Sequence, residues 1–375
     1  MDNLPKGWKN CYIEDIAYNV QYGFTGKTIE KGNVKYLRIT DIQNNFVDWS
    51  QVPFVEISPK EANKYLLQNN DIVFARTGAT AGKSFLINEL ISDSVFASYL
   101  IRIVPNLDKI FPKYLYLYFQ SPDYWSHISG NVEGAAQPNF NGRKLARIPF
   151  PLPPLSEQTR IVTKLDALFA RIDKSIALLE ENIKHTKALM ASVLEEVFGN
   201  EKESKLGEIL TLKRGYDLPT QFRVKGDYAL LGANGIIDYH KDYKAVGPGV
   251  CTGRSGSIGL VHYIKDNYWP LNTSLYVEDF KNNNRRYIYY LLKSASSGLI
   301  QQAAFAAVPT LDRKKAHEFI FVKYHKNAED QKRISTYLDQ VSQTETKILS
   351  TQQSKLVYLK ALKSSLLDRA FKGEL

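Results

Sequence analysis

The chain has 375 residues, 44% hydrophobic and 23% charged, which is typical of a globular protein of two or three domains and excludes a disordered or fibrous chain. It has no apolar run of about 18 residues and no apolar N-terminal segment, so we expect a cytoplasmic protein without a membrane partner. The net charge of +10, from 49 Lys and Arg against 39 Asp and Glu, favours a polyanionic partner.

Residues 1–155 are predicted to form a mainly β, α+β domain. Short runs rich in Val, Ile, Tyr and Phe alternate with Gly, Asn and Pro, as in VKYLRITDI, DIVFARTG, KSFLINEL and SVFASYLIRIVP. One helix is expected at 111–121, because Pro112 favours a first turn. The domain ends in the proline-rich IPFPLPPLSEQ, a stiff extended segment that leads to Ser156 as the N-cap of a long helix.

Long helices are predicted over 156–199 and 328–375. Neither 157–198 nor 330–371 contains Gly or Pro, both are rich in good helix formers, and each would span roughly 60 Å. Apolar residues recur mostly every three or four positions, in the second helix at Ile334, Leu338, Val341, Ile348, Leu359, Leu362 and Leu366, with Glu345 and Gln352 interrupting the stripe. One apolar stripe needs one partner surface, and the two helices are expected to pair as an antiparallel coiled coil. The alternative is that each helix lies on its own domain.

Residues 200–327 are predicted to form a second β-rich domain that repeats the first. The two helices align at an offset of 173 residues, matching Gln158 with Gln331 and Asp166 with Asp339. In the domains, ARTG matches GRSG, which pairs Arg76 with Arg254, and 137–150 matches 308–321. The chain is therefore predicted to be a pseudo-two-fold tandem of one unit, a globular domain followed by a long helix.

The sequence contains no motif that supports a catalytic function. GATAGKS (78–84) resembles a phosphate-binding loop, but it has three residues between its glycines instead of four, and FLINEL favours a following strand over a helix. A tight turn with glycines at positive φ explains it better. PNF (138–140) lacks the flanking residues of an amino-methyltransferase site, and the six histidines show no metal-ligand spacing. The chain is predicted to be non-catalytic, without a metal or cofactor of its own.

Basic side chains near turn glycines are the candidates for DNA contact, because they can approach phosphates and base edges. In the first domain they are Lys27, Lys35, Arg38, Arg76, Lys83, Arg143 and Lys144, and in the second Lys213, Arg214, Arg223, Lys225, Arg254, Arg313, Lys314 and Lys315.

Two variable β-rich domains alternating with two similar long helices resemble the DNA specificity subunit of Type I restriction–modification systems. The resemblance covers essentially the whole chain and is carried by ARTGATAGK, PFPLPPLSEQTRIVTKLDALFARID and the terminal LKSSLLDRAFKGEL. The second junction departs from the pattern, because VKYHKNAEDQ replaces the proline-rich form.

The resemblance implies that 1–155 and 200–327 are target recognition domains, each reading half of a bipartite sequence in double-stranded DNA, with the helices as the spacer. It implies two methylation subunits that bind S-adenosylmethionine, and restriction subunits that use ATP and Mg. A structural coiled-coil protein without DNA specificity is the alternative, and an autonomous methyltransferase is a third possibility that the absent motifs disfavour.

The repeat also separates the candidates by role. Two domains that read different half-sites share scaffold and sequence-independent phosphate contacts, and they differ where bases are read. Arg76, Arg254, Lys144 and Lys315 occur in both copies and are therefore predicted to position the DNA. The predicted base readers differ between the copies: Lys27, Lys35, Arg38, Lys213, Arg214, Arg223 and Lys225.

Overall fold

The computed structural model describes residues 4–43, 45–129, 141–199, 204–303 and 309–375. The PNF motif at 138–140 and Val308, at the start of the matching repeat segment, lie outside these ranges. The chain divides into two compact units, unit 1 (Met1–Leu178 and Lys355–Leu375) and unit 2 (Leu179–Ser354). Each unit contains one β-rich domain, the first part of one long helix and the last part of the other.

In the residues that the structure describes, unit 1 begins with twelve short strands and four short α-helices. The strands are β1 Lys9–Tyr12, β2 Ala17–Tyr22, β3 Thr28–Ile29, β4 Val34–Leu37, β5 Ile42–Gln43, β6 Phe46–Val47, β7 Phe54–Val55, β8 Ile72–Ala75, β9 Ser84–Leu86, β10 Ser94–Phe96, β11 Leu100–Pro105 and β12 Pro149–Leu152. The helices are α1 Pro59–Ala62, α2 Pro112–Tyr118, α3 Pro122–Ser129 and α4 Gly142–Ala146, followed by the long α5 Leu155–Phe198.

Two four-stranded sheets form the body of this domain. One is antiparallel in the order β2-β11-β8-β9, and the other, β10-β4-β7-β3, pairs β10 parallel to β4. Strand β8 is buried on both faces, because Ile72 and Phe74 belong to the core beneath α2 while Val73 packs with Phe85 on the opposite side. This double burial explains the unbroken apolar run of the strand, where a one-sided strand would alternate. The mainly β, α+β prediction is confirmed.

Unit 2 is built in the same order. Its strands are β13 Ser204–Lys205, β14 Thr211–Arg214, β15 Tyr228–Gly232, β16 Gly235–His240, β17 Gly249–Gly253, β18 Val261–Ile264, β19 Tyr268–Pro270, β20 Ser274–Asp279 and β21 Phe321–Val322. Its helices are α6 Leu206–Ile209, α7 Arg285–Ser294, α8 Ser296–Ala303, α9 Arg313–Phe319 and the long α10 Ala328–Phe371. The sheet β14-β20-β17-β18 repeats β2-β11-β8-β9 strand for strand, and β19 pairs parallel to β15 as β10 does to β4. The predicted tandem repeat is confirmed.

The two long helices pair antiparallel within each unit. In unit 1, Lys363 Nζ donates to Asp173 at 2.7 Å, and the buried Phe371 at the end of α10 shares a core with Ile161 near the start of α5. In unit 2, Gln352 Nε2 donates to Thr186 Oγ1 at 3.1 Å. Antiparallel pairing is therefore confirmed. Each helix also packs its first turns on the domain that precedes it. The alternative prediction, that each helix lies on its own domain, is therefore correct for those turns.

A buried glutamine fixes the start of each helix to its domain. Gln158 Oε1 accepts from Phe111 N–H at 2.7 Å, while its amide donates to Lys109 O (3.1 Å) and Pro153 O (2.9 Å). The equivalent Gln331 makes the same kind of set, with Asn284 N–H, Asn283 Oδ1 and His325 O. These two residues align in the sequence repeat because they do the same structural work in each unit.

Two sequence predictions about the helices were wrong in detail. Ser156 is not the N-cap, because the helix begins at Leu155 and Pro154 O already accepts from the Glu157 and Gln158 amides at 2.9 and 3.0 Å. Ile348 is 38% exposed, whereas Leu349 and Leu356 are half-buried beside Glu345 and Gln352. The buried stripe of α10 therefore drifts around the helix in its middle.

The structure also bears on membrane insertion. Within the described ranges, no helix combines the length and the apolar character that crossing a bilayer requires.

Candidate nucleic-acid interface

A glycine-bounded turn occurs at the same place in both units. Gly78 and Gly82 have φ of +78° and +87°, and Gly256 and Gly259 have φ of +83° and +86°. Residues other than glycine rarely adopt positive φ, which explains the glycines at these positions. The first turn contains one short 3-10 helix, Gly78–Thr80, and leads into strand β9, so it is not followed by the α-helix that holds the phosphate in a nucleotide-binding loop. The predicted tight turn is confirmed.

An arginine precedes each turn, and its backbone makes the same contact in both units. The two turns are called the arginine turns below. Arg76 N–H donates to Tyr99 O at 2.9 Å, and Arg254 N–H donates to Thr273 O at 2.8 Å. The turn is thereby attached to the segment between β10 and β11 in unit 1, and to the segment between β19 and β20 in unit 2. These attached segments, 97–99 and 271–273, are called the crest segments below.

Arg76 belongs to a cluster that includes helix α4. Its guanidinium lies over the Tyr22 ring at 5.0 Å, and its Nε is buried without a hydrogen-bond partner among the described residues. Tyr22 OH accepts from Gly142 N–H at 2.9 Å, which places α4 beside the cluster. Arg143 lines a shallow cleft together with Tyr22, and Lys144 is exposed on the same helix. The structure brings Arg76 close to α4, which carries Arg143 and Lys144.

Lys27 and Arg38 line a second cleft together with Tyr99. The cavity holds about 660 Å³, and Tyr99 is 63% exposed at its edge. A neighbouring cavity of about 550 Å³ shares Thr40 with it and is lined by Lys83. Lys27, Arg38 and Lys83 therefore lie around one concave face of unit 1, next to the arginine turn.

Arg38 is held by Asp41. Its Nε and Nη2 donate to the two carboxylate oxygens at 3.0 and 2.6 Å, and Asp41 also accepts from the Arg38 amide at 2.8 Å. Hydrogen bonding to Asp41 raises the pKa of Arg38, so this guanidinium carries its charge throughout the accessible pH range.

Lys35 has intramolecular partners instead. Its ammonium donates to Val52 O at 2.8 Å and lies 4.3 Å from the centre of the Phe54 ring. The side chain therefore ties strand β4 to the segment before β7. Unlike Arg38, whose guanidinium lines the cleft, Lys35 has its charged group bound to a backbone carbonyl and an aromatic ring of its own domain.

The unit 2 candidates differ in the contacts that hold them. Lys213 is ion-paired with Glu278, and Arg223 Nε donates to Leu218 O at 3.4 Å, while Lys225 is exposed. Arg214 Nη2 lies 3.2 Å from Asp217 Oδ1. Asn272, in the crest segment, also donates to Asp217 and accepts from Arg254 through its carbonyl at 3.5 Å. Arg214 and Arg254 are thus connected by two residues.

Helix α9 is the counterpart of α4 and carries Arg313, Lys314 and Lys315. Asp312 caps it by accepting from the Lys315 amide at 3.1 Å, as Asn141 caps α4 through the Lys144 amide at 2.9 Å. The α9 helix is tied to β14, because His317 Nε2 accepts from Leu212 N–H at 2.9 Å. Burial, together with nearby Lys281 and Arg313, lowers the pKa of His317.

Sequence reasoning missed the residues that hold these cations. Tyr22, Tyr99, Asp41, Asp217 and Asn272 carry no positive charge, so a search for basic side chains passed over them. An Asp three residues after an Arg was a visible signal at both Asp41 and Asp217. The described residues contain no group of three His, Cys, Asp or Glu that could hold a metal ion.

The fold defines an internally duplicated α+β protein in which each copy ends in a long helix. The chain belongs to the family of the Type I restriction modification DNA specificity domain, whose model matches residues 5–184 and 200–357. The two matched segments correspond to the two copies, and the resemblance seen in the sequence is confirmed.

Several relatives are similar over part of the chain. The EcoKI specificity subunit of Escherichia coli K12 is 26% identical over 200 residues, which are 52% of this chain and 43% of that protein. A protein of Methanocaldococcus jannaschii named as a putative MjaX specificity subunit is 29% identical over 220 residues, 55% of this chain and 50% of that protein. The chain thus spans about half the length of the curated relatives it matches.

Two solved structures share the fold. A chain from a Type I restriction–modification system assembly has a TM-score of 0.82 at 20% identity, covering 100% of both chains. The HsdS subunit of Thermoanaerobacter tengcongensis has a TM-score of 0.66 at 20% identity, covering 99% of this chain and 98% of that one.

Proposed function

We propose that this chain is the DNA sequence-recognition subunit of a Type I restriction–modification complex and reads a bipartite target. Residues 1–155 form one target recognition domain and 200–327 the other, and each contacts one half-site. The helices over 156–199 and 328–375 set the spacing between the half-sites.

The observation that carries this proposal is the contrast between the two units. One four-stranded sheet, the arginine turn and the capped basic helix are equivalent in the two units, while the side chains around the turns differ. Equivalent cations suit sequence-independent phosphate contacts, and differing side chains suit two different half-sites. A net charge of +10 strengthens the attraction to a polyanion.

The partners follow from the family and from the helix surfaces. We assign two methylation subunits to the helices, where Leu178, Val357 and Tyr358 are 52%, 69% and 69% exposed. Large apolar side chains left in solvent on a helix favour a protein partner. Restriction subunits complete the proposed assembly, which acts in the cytoplasm.

The chemistry is assigned to the partner subunits. They would bind S-adenosylmethionine, ATP and Mg, methylate adenine and cleave DNA, while this chain supplies sequence recognition and is not itself an enzyme. Methyl transfer by the isolated chain would contradict this division.

Methylation mapping tests the proposal. Cells that express this chain with its methylation subunit are expected to carry methyladenine at one asymmetric two-part sequence, and deletion of the chain should abolish that pattern. A pattern that persists without the chain would favour a coiled-coil assembly protein without DNA specificity. A gel shift across salt concentrations separates the same alternatives, because phosphate contacts give a steep loss of affinity with salt.

A further inference from the structure

We infer that Arg38 in unit 1 and Arg214 in unit 2 each read a guanine, one in each half-site. The inference rests on the proposed function and adds residue roles and a base identity to it. It concerns the two arginines that an aspartate three residues later holds in place, both beside a crest segment.

Asp41 holds the planar guanidinium of Arg38 in one orientation. The Asp41 carboxylate is 9% exposed and accepts from the Arg38 amide, Nε and Nη2, so it is fixed against the backbone of the same short turn. The Arg38 side chain is 40% exposed and points into the cleft that Lys27 and Tyr99 also line. Because Asp41 already restricts the Arg38 side chain, the arginine loses less conformational entropy when it binds DNA.

The ion pair leaves the binding edge of Arg38 available. A guanidinium has five N–H donors, and Asp41 engages only the side with Nε and one N–H of Nη2. The opposite edge presents one N–H of Nη1 and one of Nη2, parallel to each other. Two parallel donors match O6 and N7 of guanine in the major groove, and no other base offers two acceptors there.

Arg214 has a related but more exposed arrangement, because the Asp217 side chain is 63% exposed where that of Asp41 is 9% exposed. Its Nη2 contacts both Asp217 oxygens, at 3.2 and 3.3 Å, and Asn272 donates a further hydrogen bond to Asp217. Nε and Nη1 are not engaged by Asp217, and the side chain is 50% exposed. Asn272 belongs to the unit 2 crest segment, as Tyr99 belongs to that of unit 1.

Equivalent backbone hydrogen bonds show that the two arginines do not occupy matching positions. Ala97 N–H donates to Leu37 O at 2.9 Å and Leu271 N–H to Leu231 O at 2.8 Å, so Arg38 corresponds to Gly232. Gly23 and Gly215 bond in the same way to Leu100 and Ser274, so Arg214 corresponds to Tyr22.

Each paired arginine is thus present in one copy and absent from the other, on a shared scaffold. Residues that contact phosphate alone can be the same in both domains, whereas readers of different half-sites must differ. The turn arginines Arg76 and Arg254 meet the first description, and Arg38 and Arg214 meet the second.

The experiment replaces each arginine by lysine, which keeps the charge and removes the fork. The complex of the full chain with its methylation subunits is incubated with a pool of random duplexes, and the bound duplexes are sequenced. Arg76→Lys is the matched control, since a lysine still contacts phosphate. Circular dichroism and thermal unfolding of each variant establish that the fold is retained.

Wild type is expected to enrich a two-part sequence with a guanine in each half. Arg38→Lys should lose roughly 5- to 150-fold of the preference at one guanine of one half-site and none in the other. Arg214→Lys should do the same in the other half-site, and Asp41→Asn should weaken the Arg38 position alone. Binding to a non-specific duplex and its salt slope should stay unchanged in the two lysine variants, because they keep the charge.

Two results would overturn the inference while leaving the proposed function intact. One is a wild-type two-part sequence that Arg38→Lys and Arg214→Lys leave unaltered, and the other is an equal loss across both half-sites. A wild-type complex that enriches no sequence would overturn the proposed function, and this inference with it.

Discussion

Replacing Gln158 by leucine is expected to destabilise unit 1 strongly. The side chain is fully buried and makes three hydrogen bonds, to one backbone N–H and two backbone carbonyls. Leucine has similar volume but no polar atoms, so it leaves those three backbone groups without this partner. At about 1 kcal/mol for each hydrogen bond, the expected loss in the free energy of unfolding is about 3 kcal/mol. This is a large fraction of the ~5–15 kcal/mol typical of a domain.

Gln352→Leu is the matched control in the same kind of helix. Gln352 donates one hydrogen bond to Thr186, whose hydroxyl also donates to Asn182 O at 2.8 Å, and its own Oε1 is buried without a partner among the described residues. Removing an unsatisfied buried oxygen offsets the loss of a single bond. The expected change is therefore near zero or stabilising by up to about 1 kcal/mol.

The assay is urea unfolding followed by circular dichroism at 222 nm, with hydrogen exchange of the Phe111 amide as a local measurement. Gln158→Leu should shift the unfolding midpoint to lower urea and expose that amide to exchange. Gln331→Leu should do the same in unit 2 at Asn284. A loss below about 1 kcal/mol, or one no larger than that of Gln352→Leu, would refute the reasoning from buried hydrogen bonds.

Four further predictions concern packing, pH and DNA. Leu338→Ala, at a fully buried position, should cost about 2–5 kcal/mol in chemical unfolding, whereas Val357→Ala, at 69% exposure, should change stability by less than about 0.5 kcal/mol. The folded state lowers the pKa of His317 below its ordinary 6.5, so the contribution of this histidine to stability is complete above pH 6.5 and is lost as the pH falls below that value. His317→Gln should lack this pH-dependent contribution in unfolding titrations at pH 5–7. Arg76→Ala should weaken binding to all duplexes alike and reduce the salt slope in a fluorescence assay, and a loss confined to one base pair would contradict a phosphate contact. Inserting one heptad into 157–198 together with the paired part of the second helix should change the spacer in the methylation map but not the half-sites; an unchanged spacer would argue against the helices setting the spacing.

Local pattern determined much of the architecture. Helix periodicity, the absence of Gly and Pro and the offset repeat predicted α5 and α10, and runs rich in β-branched and aromatic residues predicted strands such as β8 and β11. These features depend on neighbouring residues, so they are legible in a single sequence. The glycines of the arginine turn were equally legible, because positive φ restricts the choice of residue.

The helix boundary shows where local reasoning stops. Ser156 has the chemistry of an N-cap, yet the helix begins one residue earlier, because Pro154 O accepts the first amides while Gln158 docks on the domain. A side chain buried by tertiary contacts thus determined the start of the helix, and capping preference alone did not.

The roles of the basic residues were decided by tertiary structure. Sequence reasoning predicted that Lys35 and Arg38 both read bases. In the fold, Lys35 donates to the Val52 carbonyl, whereas Asp41 orients Arg38 and leaves one edge of its guanidinium available. The crest segments reach the arginine turns across long stretches of chain, as in the contact between Arg76 and Tyr99. Charge and periodicity are properties of the sequence, whereas the partner of a charge depends on which distant segments the fold brings within about 3 Å of it.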